Sequence, residues 1–193
     1  MLAGVSVSVP PGTTLGIVGA NGTGKTTLLR IMSGLLAAQA GSVRVCEQEP
    51  GRGLASFVPA GDRGLHWRLT GRANLAFAAR LAPGSRRAID RLVADAAEMV
   101  GAAALLSRRV GECSTGQRRR LMLAQALIAR PPVLALDEPF ADLDPGGMGA
   151  VRAVCQGWAR AGGVVIVASP IAGELPPADA LLRLGDGTDE DLR

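Results

Sequence analysis

Several features that other classes of protein depend on are scarce or absent. Tyrosine is missing from the 193 residues and aromatic residues make up 3%, so a surface that stacks nucleic-acid bases has few side chains to use. The net charge of +4 therefore does not predict a nucleic-acid partner, and none is expected. Three cysteines, odd in number and far apart, fit neither a disulfide framework nor a zinc site, and we expect reduced thiols. No apolar run reaches the length of a membrane span, and residues at the N-terminus do not show a basic region followed by an apolar core and a cleavage site, so we expect a cytosolic location unless a partner holds the protein at a membrane.

Lysine is also scarce, because Lys25 is the single lysine and every other basic side chain is arginine. It lies in the segment GANGTGKTT, between an apolar strand from Thr14 and a helical pattern that stops at Gly34. Glycines let the backbone N–H groups surround an anion, and the helix adds its positive end. An ammonium reaches β- and γ-phosphates as a compact charge, and the Thr26 hydroxyl suits Mg²⁺. The pattern predicts a bound nucleoside triphosphate; the alternative is a glycine-rich turn before an ordinary helix. The predicted phosphate-binding residues are Gly19, Ala20, Asn21, Gly22, Thr23, Gly24, Lys25, Thr26 and Thr27.

A second apolar strand, from Val133, ends in the acids Asp137 and Glu138. In a parallel sheet, ligands gather at the carboxyl ends of the strands. We expect Asp137 to hold Mg²⁺ through water, together with Thr26. Glu138 is predicted to orient and polarise the water that attacks the γ-phosphate, and with Lys25 it is the predicted catalytic residue. The alternative is a strand that ends in a solvated acidic turn.

A third pattern, Cys113-Ser-Thr-Gly-Gln117, precedes three arginines and a run of helical spacing that stops at Arg130-Pro131. This places Ser114 and Gly116 at a helix N-terminus, which is another anion-binding position. One domain has no evident use for two such positions unless a second copy supplies the other half. We expect the arginines at 118–120 to form a solvated helix face. The predicted residues of this second position are Ser114, Thr115, Gly116 and Gln117.

Together these motifs resemble the ATP-binding subunit of ABC transporters. The phosphate loop matches the family's Walker A motif, and Leu134 to Glu138 matches Walker B. The pentapeptide from Cys113 resembles the signature Leu-Ser-Gly-Gly-Gln, and Ala141 to Asp144 resembles the D-loop. The resemblance extends to Gly187, and the segment from Asp62 to Leu75 is most similar to exporters of drugs or polysaccharides.

The resemblance implies an α/β fold of the P-loop NTPase type, with a mainly parallel sheet and an inserted α-helical subdomain that carries the signature. Residues 1–193 would form one ATP-binding domain, with 1–70 and 131–193 as the α/β core and 71–130 as the helical part. Apolar residues at helical intervals predict helices from Asn74 to Leu81 and from Ser85 to Val100, broken at Pro83-Gly84, and a strand is expected from Val164 to Ser169. Two nucleotide-binding subunits, alike or different, would close head to tail over two Mg·ATP. A polytopic membrane permease would convert closure and hydrolysis into transport, placing the subunit on the inner face of the membrane.

The chain also departs from the family pattern. The strand and adenine-stacking aromatic residue expected upstream of the phosphate loop are absent, which a late start codon and a real truncation explain equally. The glutamine expected near Phe57 to Gly61 is missing, with Asp62 as a candidate substitute. Pro170 occupies the place of the histidine that senses the γ-phosphate. His66, beside Trp67, is expected to contact the membrane partner.

These losses leave alternatives open. One is a subunit that binds nucleotide, hydrolyses it weakly and pairs with a competent partner. Another is an ABC-type ATPase that acts outside transport, although no heptad run or second nucleotide domain is visible. A P-loop kinase fits less well, because kinases have no use for the Ser-Thr-Gly-Gln element.

Overall fold

The computed structural model describes residues 4–51, 53–82 and 88–185. Within them, five parallel strands form one sheet in the order β2-β3-β4-β1-β5. Short apolar runs form these strands because a parallel sheet is buried on both faces. The strands are β1 (Thr14–Val18), β2 (Ala55–Val58), β3 (Val133–Asp137), β4 (Val164–Ser169) and β5 (Ala180–Arg183).

Five α-helices accompany the sheet in these residues: α1 (Lys25–Met32), α2 (Gly71–Leu81), α3 (Ile89–Met99), α4 (Thr115–Leu127) and α5 (Pro145–Arg160). Polar side chains cap the N-termini of three of them, α2, α4 and α5. The Thr70 hydroxyl accepts a hydrogen bond from Ala73 N, in the third residue of α2, at 3.2 Å. Asp144 Oδ1 accepts a hydrogen bond from Gly147 N at 2.7 Å, and Pro145 is the first residue of α5.

Some predicted helix limits differ from those observed. Helix α2 begins at Gly71 rather than Asn74, because the Thr70 cap lies further upstream. Helix α4 ends at Leu127 and not at Arg130, whose φ of +47° has left the helical region. Helix α3 spans Ile89–Met99, within the predicted stretch from Ser85 to Val100. The break predicted at Pro83-Gly84 lies outside the described residues.

The core consists of two apolar layers, one on each face of the sheet. Alternate residues of one strand point to opposite faces, so Leu134 and Leu136 of β3 join one layer while Val133 and Ala135 join the other. Helix α1 covers the second layer with Leu28 and Leu29, and the remaining helices contribute to the first. The phosphate-loop helix therefore lies on the opposite face from the helix that follows Ser114.

The strand register brings the ends of three strands to one edge of the sheet. Val18 is paired with Ser169, and Asp137 with Ala168. The phosphate loop after β1, the acids after β3 and the turn after β4 are therefore neighbours. The α/β fold with a parallel sheet is confirmed, whereas the division at 71 and 130 stays a prediction.

The structure also describes the state of the cysteine side chains and the hydropathy of the helices. All three cysteines are free thiols, as expected, and burial raises the pKa of the Cys155 thiol to about 12. None of the helices in the described ranges combines the length and hydropathy that crossing a bilayer requires.

Candidate nucleotide-binding site

The phosphate loop, residues 19–24, connects the end of β1 directly to the first turn of α1. All three of its glycines are required by geometry. A Cβ at Gly19 would collide with the Leu184 carbonyl oxygen and lie 2.7 Å from Thr23 Oγ1. Gly22 and Gly24 have φ of +86° and +101°, a region that side-chain-bearing residues rarely adopt. These glycines give the loop its tight curve against the sheet edge.

Lys25 is the first residue of α1 and is only 5% exposed. Its Nζ donates to the carbonyl oxygens of Gly19 at 2.7 Å and Ala20 at 3.0 Å, so the ammonium lies in the cradle of the loop. No carboxylate within residues 4–51, 53–82 and 88–185 forms an ion pair with it. A buried, uncompensated positive charge is costly unless an anion joins it, and an oligophosphate supplies that charge.

Thr26 and Asp137 meet across 111 residues of sequence. The Thr26 hydroxyl donates to Asp137 Oδ2 at 2.7 Å. Asp137 is 3% exposed, and its Oδ1 is buried without a hydrogen-bond partner. An orphaned carboxylate oxygen beside a hydroxyl is the hard-oxygen donor set that Mg²⁺ uses when phosphates complete its coordination. The residues therefore fit the predicted metal, with Thr26 and Asp137 as its holders.

Glu138 follows β3 in a strained backbone conformation. Its φ is +44°, and its N–H donates to the Ala168 carbonyl oxygen at 2.9 Å, which ties the turn to β4. A non-glycine residue in this region costs about 1–3 kcal/mol and persists where the surroundings hold it, often at functional sites. The half-buried Glu138 thus follows Asp137, the predicted metal ligand, at the same edge of the sheet.

The turn after β4 has a serine and a proline where the family pattern has its histidine. Ser169 is 1% exposed; its Oγ donates to Glu174 Oε2 at 2.9 Å and accepts from Ile171 N at 3.1 Å. The hydroxyl is therefore committed to its own turn. Pro170 has no N–H and no polar side-chain atom, so this turn brings no evident replacement for the histidine.

Ser114 is the N-cap of α4 and forms a capping box with Gln117. Ser114 Oγ accepts from Gln117 N at 3.3 Å, and Gln117 Oε1 accepts from Ser114 N at 3.0 Å. Because the capping hydroxyl is used as an acceptor, its own hydrogen remains to be donated. Ser114 is exposed, and Gly116 lies against Leu143 and Gly147 at the start of α5. The geometry suits an anion that arrives from outside the subunit.

The expectation of a solvated arginine face at 118–120 is wrong. Arg119 is 3% exposed and donates from Nη1 to the Pro59 carbonyl oxygen at 3.2 Å. Arg118 Nε lies 3.0 Å from Asp62 Oδ2, its Nη1 donates to Cys113 O at 2.6 Å, and its guanidinium stacks 4.8 Å from the Trp67 ring. Helical spacing does not single out Arg119, because each of the three arginines is followed at the third and fourth positions by buried residues, among them Leu121, Met122, Leu123 and Ala124.

The segment after β2 carries exposed aromatic residues. His66 and Phe77 are in edge-to-face contact, with ring centroids 5.7 Å apart, and Asn74 fixes the His66 backbone through both its N–H and its carbonyl. Trp67, Phe77 and Leu81 are all about half exposed. Phe77 and Leu81 line a groove of about 600 Å³ between β2, α2 and α4, and Trp67 is exposed on the segment after β2. Such a surface marks an interaction site, and the role of His66 as a contact residue stays a prediction.

These features define a P-loop nucleotide-binding protein. They are a glycine-rich loop between a strand and a helix, a buried lysine, and an aspartate at a strand end that is hydrogen-bonded to a threonine of the helix. The model of the ABC transporter family matches residues 2–141. The chain therefore belongs to the ABC transporter family, in which ATP hydrolysis is typical.

Curated relatives and a solved structure agree with this assignment. The trehalose/maltose import ATP-binding protein MalK of Thermococcus litoralis is 34% identical over 152 residues, covering 72% of this chain and 40% of that protein. The Nod factor export ATP-binding protein I of Burkholderia pseudomallei is 39% identical over 148 residues, covering 74% and 48%. The structure of cbiO1 from Clostridium perfringens, described as part of the ABC transporter complex cbiONQ, superposes with a TM-score of 0.84 at 24% identity, covering 96% of this chain and 78% of that one.

These relatives are longer than this chain and differ in the direction of transport that their names give. The chain spans about half the length of the two curated relatives. One of them is named for import and the other for export, so the predicted exporter subgroup stays a prediction.

Proposed function

We propose that this chain is the ATP-binding subunit of an ABC transporter, which binds Mg·ATP in a head-to-tail dimer and hydrolyses it. The observation that carries the proposal is the buried Lys25 ammonium, held by two loop carbonyls and by no carboxylate of the described residues. A triphosphate supplies the missing negative charge, and the loop N–H groups and helix end add donors to it. The nucleotide-binding residues are those predicted at 19–27.

Hydrolysis follows from the neighbouring acids. Bound Mg²⁺, held by Thr26 and Asp137, would neutralise charge on the β- and γ-phosphate oxygens. Glu138 accepts a proton from the attacking water while the oxygen of that water forms a bond to the γ-phosphorus. The bond from that phosphorus to the bridging oxygen breaks, releasing phosphate and ADP. Lys25 offsets the negative charge that develops on the transferred group.

The second subunit completes the site. The start of α4 is formed by Ser114, Thr115, Gly116 and Gln117. The hydroxyl hydrogen of Ser114 and the positive end of the helix suit a γ-phosphate that is bound by another copy or by a related subunit. Residues 71–130 would act as the helical signature subdomain, against 1–70 and 131–193 as the α/β core. Loss of the γ-phosphate would remove the shared ligand and open the dimer.

A membrane permease is the proposed third component. The half-exposed Phe77 and Leu81, which line the 600 Å³ groove, and the half-exposed Trp67 on the segment after β2 supply the apolar, aromatic surface that such a contact uses. The subunit would then lie at the cytoplasmic face of the membrane, carried there by the permease. Export is the narrower part of the proposal, supported by the exporter-like segment from Asp62 to Leu75 and by the Nod factor relative.

A specific observation favours a second candidate, a subunit that hydrolyses weakly beside a competent partner. Pro170 offers no hydrogen bond to the γ-phosphate, and the Ser169 hydroxyl is committed to Glu174. Such a subunit would still bind Mg·ATP. Turnover by the purified protein, alone and with a competent partner, separates the two candidates.

The decisive test is Glu138→Gln, because the amide keeps the shape of the carboxylate but accepts no proton from water. We expect Mg·ATP to convert the variant into a stable dimer, measured by light scattering after gel filtration, while the parent dimer opens again. Glu98→Gln, at an exposed position of α3, is the matched control and should behave as the parent does. Equal turnover by the Glu138 variant and the parent would remove the assigned role of Glu138.

A further inference from the structure

Arg119 is a buried cation that the proposed reaction does not use. It is the fifth residue of α4, 3% exposed, and its Nη1 donates to the carbonyl oxygen of Pro59 at 3.2 Å. Pro59 directly follows β2, so this bond joins the first turns of the helix behind Ser114 to the carboxyl edge of the sheet. An arginine stays protonated in proteins, and a buried charge needs compensation.

The compensation comes from three carboxylates on different segments of that edge. Burial lowers the pKa of the Arg119 guanidinium, and the attraction of Asp62, Asp142 and Asp137 offsets this lowering in part. Asp62 belongs to the segment after β2, Asp142 to the loop before α5, and Asp137 is the proposed metal holder at the end of β3. One cation of α4 is therefore shared among the segments that surround the nucleotide site.

Two further contacts place α4 against the same edge. Arg118 Nε lies 3.0 Å from Asp62 Oδ2, so Asp62 faces two consecutive arginines of the helix. Gly116, in the first turn, lies against Leu143 and Gly147. A side chain that only filled space here would be apolar, since burying a guanidinium among apolar neighbours is costly.

We propose that Arg119 is a positioning residue, whose guanidinium ties α4, the helix capped by Ser114, to Pro59 directly after β2 and holds its charge near the carboxylates at the carboxyl edge of the sheet. The inference rests on the proposed ATPase function. With this tie, the sheet edge that binds the subunit's own nucleotide and Ser114, which contacts the nucleotide of the other subunit, move as one rigid unit. Without it, each subunit still binds Mg·ATP, but the serine is misplaced when the dimer closes.

The first arm of the test needs no nucleotide. In Arg119→Met the Pro59 carbonyl loses its donor, and we expect faster hydrogen–deuterium exchange in residues 60–64. Arg120→Met is the matched control on the same helix: its guanidinium donates at 3.4 Å to Gly101 O at the end of α3, away from the sheet edge. Unchanged exchange in the Arg119 variant, or an equal rise in the control, would overturn the proposal.

The second arm separates nucleotide binding from turnover. For Arg119→Met we expect the Kd of Mg·ATP to stay within about twofold, while kcat falls by about tenfold to a hundredfold, as misplaced groups typically cause. Arg119→Lys keeps charge and donor and should recover part of kcat. A parallel loss of affinity and turnover, or no recovery by lysine, would indicate a merely structural role and refute the proposal.

Two provisions keep the result decisive. If Arg119→Met fails to fold, Arg119→Gln, which removes the charge and whose amide ends two bonds short of the Nη1 position, carries both arms with the same expected direction. Failure of Mg·ATP binding by the parent would refute the proposed function, whereas the exchange arm judges the Arg119 tie in either case.

Discussion

Replacing Lys25 by methionine is the sharpest test of the nucleotide site, because its two expected effects differ in size. Methionine keeps an unbranched chain of similar length but removes the ammonium. With nucleotide present, the variant loses the charge that the triphosphate requires. Without nucleotide, it loses a buried cation that has no carboxylate partner in the described part of the chain.

The magnitudes follow from the contacts. A charge-assisted hydrogen bond contributes about 1.5–3 kcal/mol, so losing two to phosphate oxygens weakens binding by about 3–6 kcal/mol, which raises Kd at least a hundredfold. In the free protein, loss of the bonds to Gly19 O and Ala20 O is offset by relief of the desolvated charge, and each effect is a few kcal/mol. We expect the stability of the free protein to change by about 1 kcal/mol or less, a shift in Tm of about 2–4 °C at most.

Calorimetric titration with Mg·ATP and thermal unfolding without nucleotide measure the two effects. Arg30→Met is the matched control, since it removes an exposed cation from the same helix and should leave Kd within about twofold. An unchanged Kd for the Lys25 variant would refute the phosphate-loop assignment. A large drop in Tm without nucleotide would show that the lysine serves the fold instead.

Three further outcomes are expected. Asp137→Asn keeps an acceptor for Thr26 but loses the charge, so the Mg²⁺ needed for half-maximal ATP binding should rise about tenfold or more, while binding in EDTA stays unchanged; an unchanged Mg²⁺ dependence would contradict the metal assignment. Pro170→His should raise turnover per bound ATP by adding a donor at the γ-phosphate, measured by phosphate release, and a lower or equal rate would count against the sensor argument. Trp67→Ala should weaken assembly with the permease by about 2 kcal/mol without changing ATP affinity in calorimetry, and intact co-purification would rule out this docking surface.

Local patterns predicted most elements of the fold because their causes are local. An apolar run between turn residues forms a strand almost wherever it lies, and β4 spans Val164 to Ser169 as predicted. The loop around Lys25 has its geometry because glycines allow the required φ and the close approach to Leu184. Helix ends were less predictable: α4 stops three residues before Arg130 because the chain must turn towards β3.

The environment of charged side chains shows where local patterns fail. Three arginines in a row predict a solvated face, because the free-energy cost of burying arginine follows from the residue type alone. The groups that compensate a buried arginine lie far away in the sequence and cannot be recognised from the local pattern. The compensation for Arg119 comes from Pro59 and Asp62, 60 and 57 positions away, and from Asp142 and Asp137. Those groups become neighbours only when β2, β3 and α4 pack together.

Sequence alone determined the phosphate loop, the acidic strand end and the capped serine helix, since each depends on residues within about ten positions of one another. Only the tertiary structure decided that Thr26 Oγ1 lies 2.7 Å from Asp137 Oδ2, and that Arg119 joins α4 to the sheet edge. The physical reason is that hydrogen bonds and charge compensation act over a few ångströms in space, and the parallel sheet alone brings such distant segments within that range.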